Sequence, residues 1–194
     1  MDKPLIHIDS DPIGRGRERV CYLHPQDSRK VIKLCHGDVR KQTNREIDFY
    51  HRLQKRRISD LKFVPNYFGT VETNLGSGIV TELISDYNGK ISQSVLDVLK
   101  DGTAFDSFTD ALADLKFHLL ENRVIFNNDM YLGNILVRRT DHINFHLVII
   151  DGLGDVVKIQ LLNYIASLTR RKIERRWKRF YARALNTAEK AKRL

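Results

Sequence analysis

Two neighbouring stretches decide the reading of this chain. They are Asn128-Asp129-Met130-Tyr131-Leu132-Gly133-Asn134-Ile135-Leu136-Val137 and Leu147-Val148-Ile149-Ile150-Asp151-Gly152. Each couples a short β-type apolar run, Asn134–Arg138 or Asn144–Ile150, to a polar loop. An Asp and an Asn five positions apart on a tight loop can converge on one point. The Asp can orient or deprotonate a hydroxyl, and the Asn carbonyl oxygen can ligate Mg²⁺. Asp151 stands where a strongly apolar strand ends and is followed by glycine, a place suited to holding a cation. Both carboxylates also read as ordinary turn formers, the commonest fate of Asp-Gly.

Working outward, a helix is expected from about Phe105 to Glu121, with Phe108, Ala111, Leu112, Leu115 and Leu119 on one stripe. Helical sequence is expected again from about Val156 to the end. Towards the N-terminus the pattern becomes strand-like. Ile6-His7-Ile8, Val20–Leu23 and Lys30–Leu34 alternate, with the glycine-rich break Ile13-Gly14-Arg15-Gly16 between the first two. Asp38 can cap a helix running to about Arg57, with Val39, Ile47, Tyr50 and Leu53 on its apolar face. Leu61–Val64, Tyr67–Thr73 and Gly78–Leu83 complete the strands. The pattern turns helical after Ser85-Asp86-Tyr87-Asn88-Gly89. The fold class expected is α+β with two lobes, residues 1–84 and 85–194.

Two further features could carry chemistry. Glycines at 14 and 16 would let backbone N–H groups approach phosphate oxygens, or they simply make a hairpin turn. Lys33 lies inside the apolar strand Val31-Ile32-Lys33-Leu34, and a half-buried Lys needs an anionic partner, for which Glu46 on the following helix is placed. The plain alternative is a surface Lys and a solvated Glu.

The order of these features resembles the protein-kinase signature set. The chain is similar to small bacterial members of the protein-kinase-like superfamily, and in particular to the YrbL family, named for a protein of the PhoP regulatory network. The likeness covers about residues 8–165. It rests on Ile13-Gly14-x-Gly16, Val31-Ile32-Lys33, Asn128-Asp129-x-x-x-x-Asn134-Ile135-Leu136-Val137 and Ile149-Ile150-Asp151-Gly152. It implies a two-lobed minimal kinase-like fold: a β-rich N-lobe with one helix of the αC type, and a truncated, mainly helical C-lobe. It implies an ATP site of Ile13, Gly14, Gly16, Lys33 and Glu46, with the backbone of Glu82 and Ile84 meeting adenine in a hinge at 81–84. Asp129 would be the catalytic Asp, and Asn134 and Asp151 would hold Mg²⁺. The implied cofactors are ATP and Mg²⁺, and the implied reaction is phosphoryl transfer to an acceptor the sequence does not name.

The pattern also departs from the family. Arg19 stands at the third glycine, Asn127-Asn128 replaces His-Arg, Gly152 replaces the Phe of DFG, and too few residues follow Asp151 for an activation loop and a full substrate-binding subdomain. This argues against a regulated protein kinase. It keeps open a nucleotide-binding regulator with little turnover.

Composition bounds the rest. The 194 residues, 42% hydrophobic and 29% charged, exclude wholesale disorder. The longest apolar run, Leu147–Ile150, is far short of the roughly 20 residues of a membrane span. Met1–Ile6 lacks a signal-peptide core, so a cytoplasmic protein is expected. Cys21 and Cys35 are expected as small apolar residues in strands. The net charge of +9 is local: residues 170–194 hold eleven Lys/Arg and two acids, and residues 1–169 are formally neutral. In that tail Ile173, Trp177 and Tyr181 repeat at helical spacing. The basic helix is either a core-facing cap or a contact for an acidic protein, an anionic membrane surface or nucleic acid.

Overall fold

The computed structural model describes residues 5–16, 19–35, 41–56, 58, 62–127, 130–154 and 166–191, apart from the side chains of 41 and 42. The architecture is mixed α and β. The chain divides into two compact units, 1–61 with 65–85, and 62–64 with 86–194.

The first unit is built on a five-stranded antiparallel sheet. Its strands are β1 (Gly14–Arg15), β2 (Arg19–His24), β3 (Asp27–Cys35), β4 (Tyr67–Thr73) and β5 (Gly76–Glu82), in the order β1-β2-β3-β5-β4. Antiparallel neighbours in a meander need only short turns, which the polar breaks at 24–27 and 73–76 supply. Alternation sorts the side chains of β3 by face. Ile32 and Leu34 join Ile8, Val71 and Val80 in a buried cluster, with Ile6 and Tyr22 against it. Ile6-His7-Ile8 forms no full strand; it is tied on by one bridge, Ile6 to Thr73. Helix α1 (Lys41–Lys55) buries Thr43, Glu46, Phe49, Tyr50 and Leu53. That stripe differs from the expected one. Ile47 is only half-buried, Val39 and the Asp38 cap lie outside the described residues, and a carboxylate occupies the centre of the buried face.

The second unit comprises α2 (Val95–Lys100), a 3₁₀ turn (Phe105–Phe108), α3 (Thr109–Glu121), the hairpin β6 (Ile135–Arg139) and β7 (Phe145–Ile149), and α4 (Ala166–Ala191). Ser94 caps α2 by accepting the Asp97 N–H at 3.1 Å. This short helix has too few residues for its periodicity to stand out in the sequence. Of the strand expected at 61–64, residue 61 lies outside the described set. Lys62–Val64 form a turn of the second unit, where the Phe63 carbonyl accepts the Ile149 N–H at 2.9 Å.

The α3 stripe Leu112, Leu115, Leu119 is buried, and so is the α4 stripe Ile173, Trp177, Phe180, Ala184, Ala188. Edge-on aromatic pairs join α4 to its surroundings: Phe126–Trp177 at 6.3 Å and Phe105–Tyr181 at 5.8 Å between ring centroids. Helical sequence expected from Val156 lies outside the described residues as far as 165. No described helix is long and apolar enough to cross a membrane.

Candidate functional site

In the first unit, β3 presents Lys33 on the face opposite Ile32 and Leu34, and α1 supplies Glu46. Both side chains are buried, and Lys33 Nζ lies 2.9 Å from Glu46 Oε1. The other carboxylate oxygen is also engaged: Arg19 Nη1 stands 2.5 Å from Glu46 Oε2, and Arg19 is buried as well. One carboxylate therefore holds two cations in a low-dielectric setting, where charge-assisted hydrogen bonds are strongest and fix geometry best. The Glu46 charge reaches one residue further. Burial first, and that charge second, push the Tyr67 phenol above its ordinary pKa.

Arg19 is the buried cation of this cluster that the sequence alone does not assign to it. The sequence offers it only as the replacement of a third glycine. A signal was available in strand parity. Cys21 pairs with Lys33 across β2 and β3, and Arg19 shares the parity of Cys21, so both cations belong to one face.

Gly14 and Gly16 are exposed, and the segment that follows them, 17 and 18, lies outside the described residues. Neither glycine has a positive φ. A Cβ would come no nearer than 4.0 Å to the Cys21 side chain at Gly14, or 3.6 Å to the Arg19 carbonyl oxygen at Gly16. No described protein atom demands glycine there. The Gly16 N–H is donated to the Arg19 carbonyl at 2.8 Å, and that of Ile13 to Cys21 at 2.8 Å, so these two donors are already used. At the end of β5, Glu82 donates its N–H to Asn66 and Leu83 to Arg29, both at 2.8 Å. Among the described residues the Ile84 N–H makes no hydrogen bond, and the buried Thr81 hydroxyl has no partner. Cys21 and Cys35 lie on strands as expected, but both are half-buried, and Cys35 Sγ meets the Thr43 hydroxyl at 2.7 Å.

In the second unit, the hairpin β6–β7 brings Asn134 and Asp151 together. Ile135 pairs with Ile149, and the Ile150 N–H donates to the Asn134 carbonyl at 3.0 Å. This sets the two proposed metal ligands at the same end of the hairpin. A second set of backbone bonds joins the loops themselves. Asn127 N–H donates to Gly152 O at 2.6 Å, Gly154 N–H to Ile125 O at 2.9 Å, and Phe126 bridges Leu153. Gly152 has φ 79°, a conformation an L side chain rarely adopts, which explains glycine at this position. Asp151 turns one oxygen back on the Gly152 N–H at 2.6 Å. Asp129 and Asn128 lie outside the described residues. Their neighbours are anchored from α4: the buried Arg176 donates through Nη1 to the Phe126 carbonyl, and Arg183 Nη2 reaches the Met130 carbonyl at 3.3 Å.

The donor set of Asn134 and Asp151 is oxygen only, which suits a hard cation. Among the described residues no three His, Cys, Asp or Glu side chains cluster as a protein-only metal cage. Mg²⁺ in general is commonly held by one or two carboxylates together with substrate phosphates.

The comparisons with known proteins came out as follows. The family model of PhoP regulatory network protein YrbL matches residues 6–185. A protein of Escherichia coli (strain K12) named Uncharacterized protein YrbL is 34% identical over 182 residues, covering 90% of this chain and 85% of its own length. A protein of Shigella flexneri with the same name matches to the same extent.

Proposed function

This chain belongs to the YrbL family of PhoP regulatory network proteins, and from that premise we propose that it binds ATP with Mg²⁺ and transfers the γ-phosphoryl group to an acceptor hydroxyl. The observation that carries the reading is the buried Lys33–Glu46 pair at 2.9 Å. A strand lysine fixed by a helix carboxylate is the arrangement that orients α- and β-phosphates. Three features support it: glycines at 14 and 16 that no described atom requires, an Ile84 N–H without a hydrogen-bond partner among the described residues, and Asn134 and Asp151 at one end of the β6–β7 hairpin.

In this reading Lys33 orients the phosphates and Asp129 accepts the proton of the attacking hydroxyl. The bond from the acceptor oxygen to the γ-phosphorus forms as the bond to the β–γ bridging oxygen breaks, and ADP leaves. Asn134 and Asp151 would hold Mg²⁺, which would supply charge neutralisation on the phosphates.

Thermal denaturation with ATP and Mg²⁺ tests the proposal. Saturation at about a hundred times Kd contributes about 2.7 kcal/mol, which raises Tm by roughly 5–10 °C for a chain of this size. Lys33→Met and Asp151→Asn should remove the Mg²⁺-dependent shift. Absence of any shift in the wild type overturns the reading. A second reading, a nucleotide-binding regulator with little turnover, is favoured by the Gly16 N–H being spent on Arg19 and by Asn127-Asn128 in place of His-Arg. It also suits a family whose model is described as PhoP regulatory network protein YrbL. Phosphotransfer that Asp129→Ala abolishes would exclude it.

A further inference from the structure

Residues 170–194 carry the net charge of the whole protein, most of it on helix α4, and the structure separates the two faces of that helix. The aromatic stripe, half of what an amphipathic membrane helix would need, is spent inside the second unit, since Ile173, Trp177 and Phe180 are buried. What remains outside is a row of Arg171, Arg175, Lys178 and Arg179, all exposed. The nearest acid along the helix, Glu174, leans to Arg170 at 3.9 Å. Among the described residues no carboxylate forms an ion pair with the four row members.

Like charges at i, i+3 and i, i+4 destabilise a helix. Here two turns of α4 keep three such contacts, 171 with 175, 175 with 178 and 175 with 179, with Glu174 the one acid in that stretch. Arg171, Arg175 and Arg179 recur every four residues, about 6 Å apart along the axis, a repeat close to that of phosphates along a nucleic-acid strand. Three of the four are arginines, whose planar fork meets phosphate oxygens in pairs. A membrane surface fits less well. The two leucines that α4 exposes, Leu168 and Leu185, stand about 25 Å apart at the two ends of the row, so no apolar patch accompanies the charges.

We propose that the outer face of α4, through Arg171, Arg175, Lys178 and Arg179, is a docking surface for the phosphate backbone of nucleic acid. This does not depend on the nucleotide reading above. It predicts recognition by charge through phosphate contacts, which carry no sequence information.

The test is fluorescence anisotropy of the full chain with a short labelled DNA duplex of mixed sequence, and with an RNA duplex of the same sequence, across about 50 to 200 mM salt. Four phosphate contacts give a slope of log K against log salt of about −3 to −4, or roughly a hundredfold loss over that range. The double variant Arg175→Gln with Arg179→Gln keeps two exposed helix-forming residues and should lower the slope by about 2. Lys190→Gln, near the far end of the helix, should leave it unchanged. Three outcomes overturn the proposal: no duplex binding at the lowest salt, duplex binding unaltered in the double variant, or binding to phosphatidylserine vesicles without binding to either duplex.

Discussion

Gly78→Ala tests the sheet that carries Lys33. Gly78 lies on β5 opposite Leu34 of β3 and Val71 of β4. A Cβ built at Gly78 would stand 2.6 Å from Leu34 Cδ2, 2.7 Å from the Lys33 carbonyl oxygen and 3.3 Å from its carbon. The leucine methyl can rotate away, but the carbonyl belongs to the backbone of a central strand. Relief therefore requires β3 and β5 to separate at the residue that presents Lys33 to Glu46. Overpacking of this kind costs about 1–3 kcal/mol, which lowers Tm by roughly 3–10 °C in a chain of this size. Gly133→Ala is the control. Its Cβ would meet the Tyr131 ring at 2.5 Å, an equally severe clash on paper. Tyr131 is 52% exposed, however, and its ring can swing into solvent. That variant should stay within about 1 kcal/mol of wild type, as uncoupled surface changes do. Thermal denaturation followed by far-ultraviolet circular dichroism compares the two. Equal shifts, or a Gly78→Ala protein as stable as wild type, would refute the argument that the kind of atom met decides the effect.

Glu46→Gln keeps volume but removes the charge shared by Arg19 and Lys33; breaking a buried ion pair costs about 3–5 kcal/mol, so urea denaturation should show a clearly lower midpoint, and an unchanged midpoint would contradict the pairing. Tyr67 supplies the pH dependence: its folded pKa is raised above the ordinary value of about 10, by burial and then by Glu46. Stability from this group is full below that value and is lost as pH rises through the folded pKa. Tyr67→Phe should therefore flatten the alkaline limb of the stability curve, and an identical limb would remove Tyr67 as its cause. Arg176→Met fills a similar space but forfeits the buried bond to the Phe126 carbonyl, a charged hydrogen bond contributing about 1.5–3 kcal/mol. Trp177, the sole tryptophan and edge-on to Phe126, should report the disturbance as a shift in emission, and unaltered emission with unaltered Tm would count against the anchor.

Residue order alone determined the elements whose signal is periodic and local. Alternation located β2 to β5, and the stripe Leu112, Leu115, Leu119 located α3, because side-chain direction repeats with period two or about 3.6 whatever surrounds it. The sequence left Lys33 and Glu46 open between a buried pair and two solvated side chains, and the fold decided for the pair. The short helix α2 and the turn at Lys62–Val64 were not legible, because too few residues define a period. Tertiary structure alone decided three further matters. It made Arg19 the second cation on Glu46, which requires the register of β2 against β3. It tied Asn127 to Gly152 and Arg176 to Phe126, bonds between backbone groups and side chains far apart in the chain. It also sorted the basic tail, turning Trp177 and Phe180 into the second unit and leaving Arg171, Arg175, Lys178 and Arg179 outside. Amphipathic spacing states that a helix has two faces. Which face is buried, and against what, depends on the apolar surface that the rest of the fold leaves to be covered.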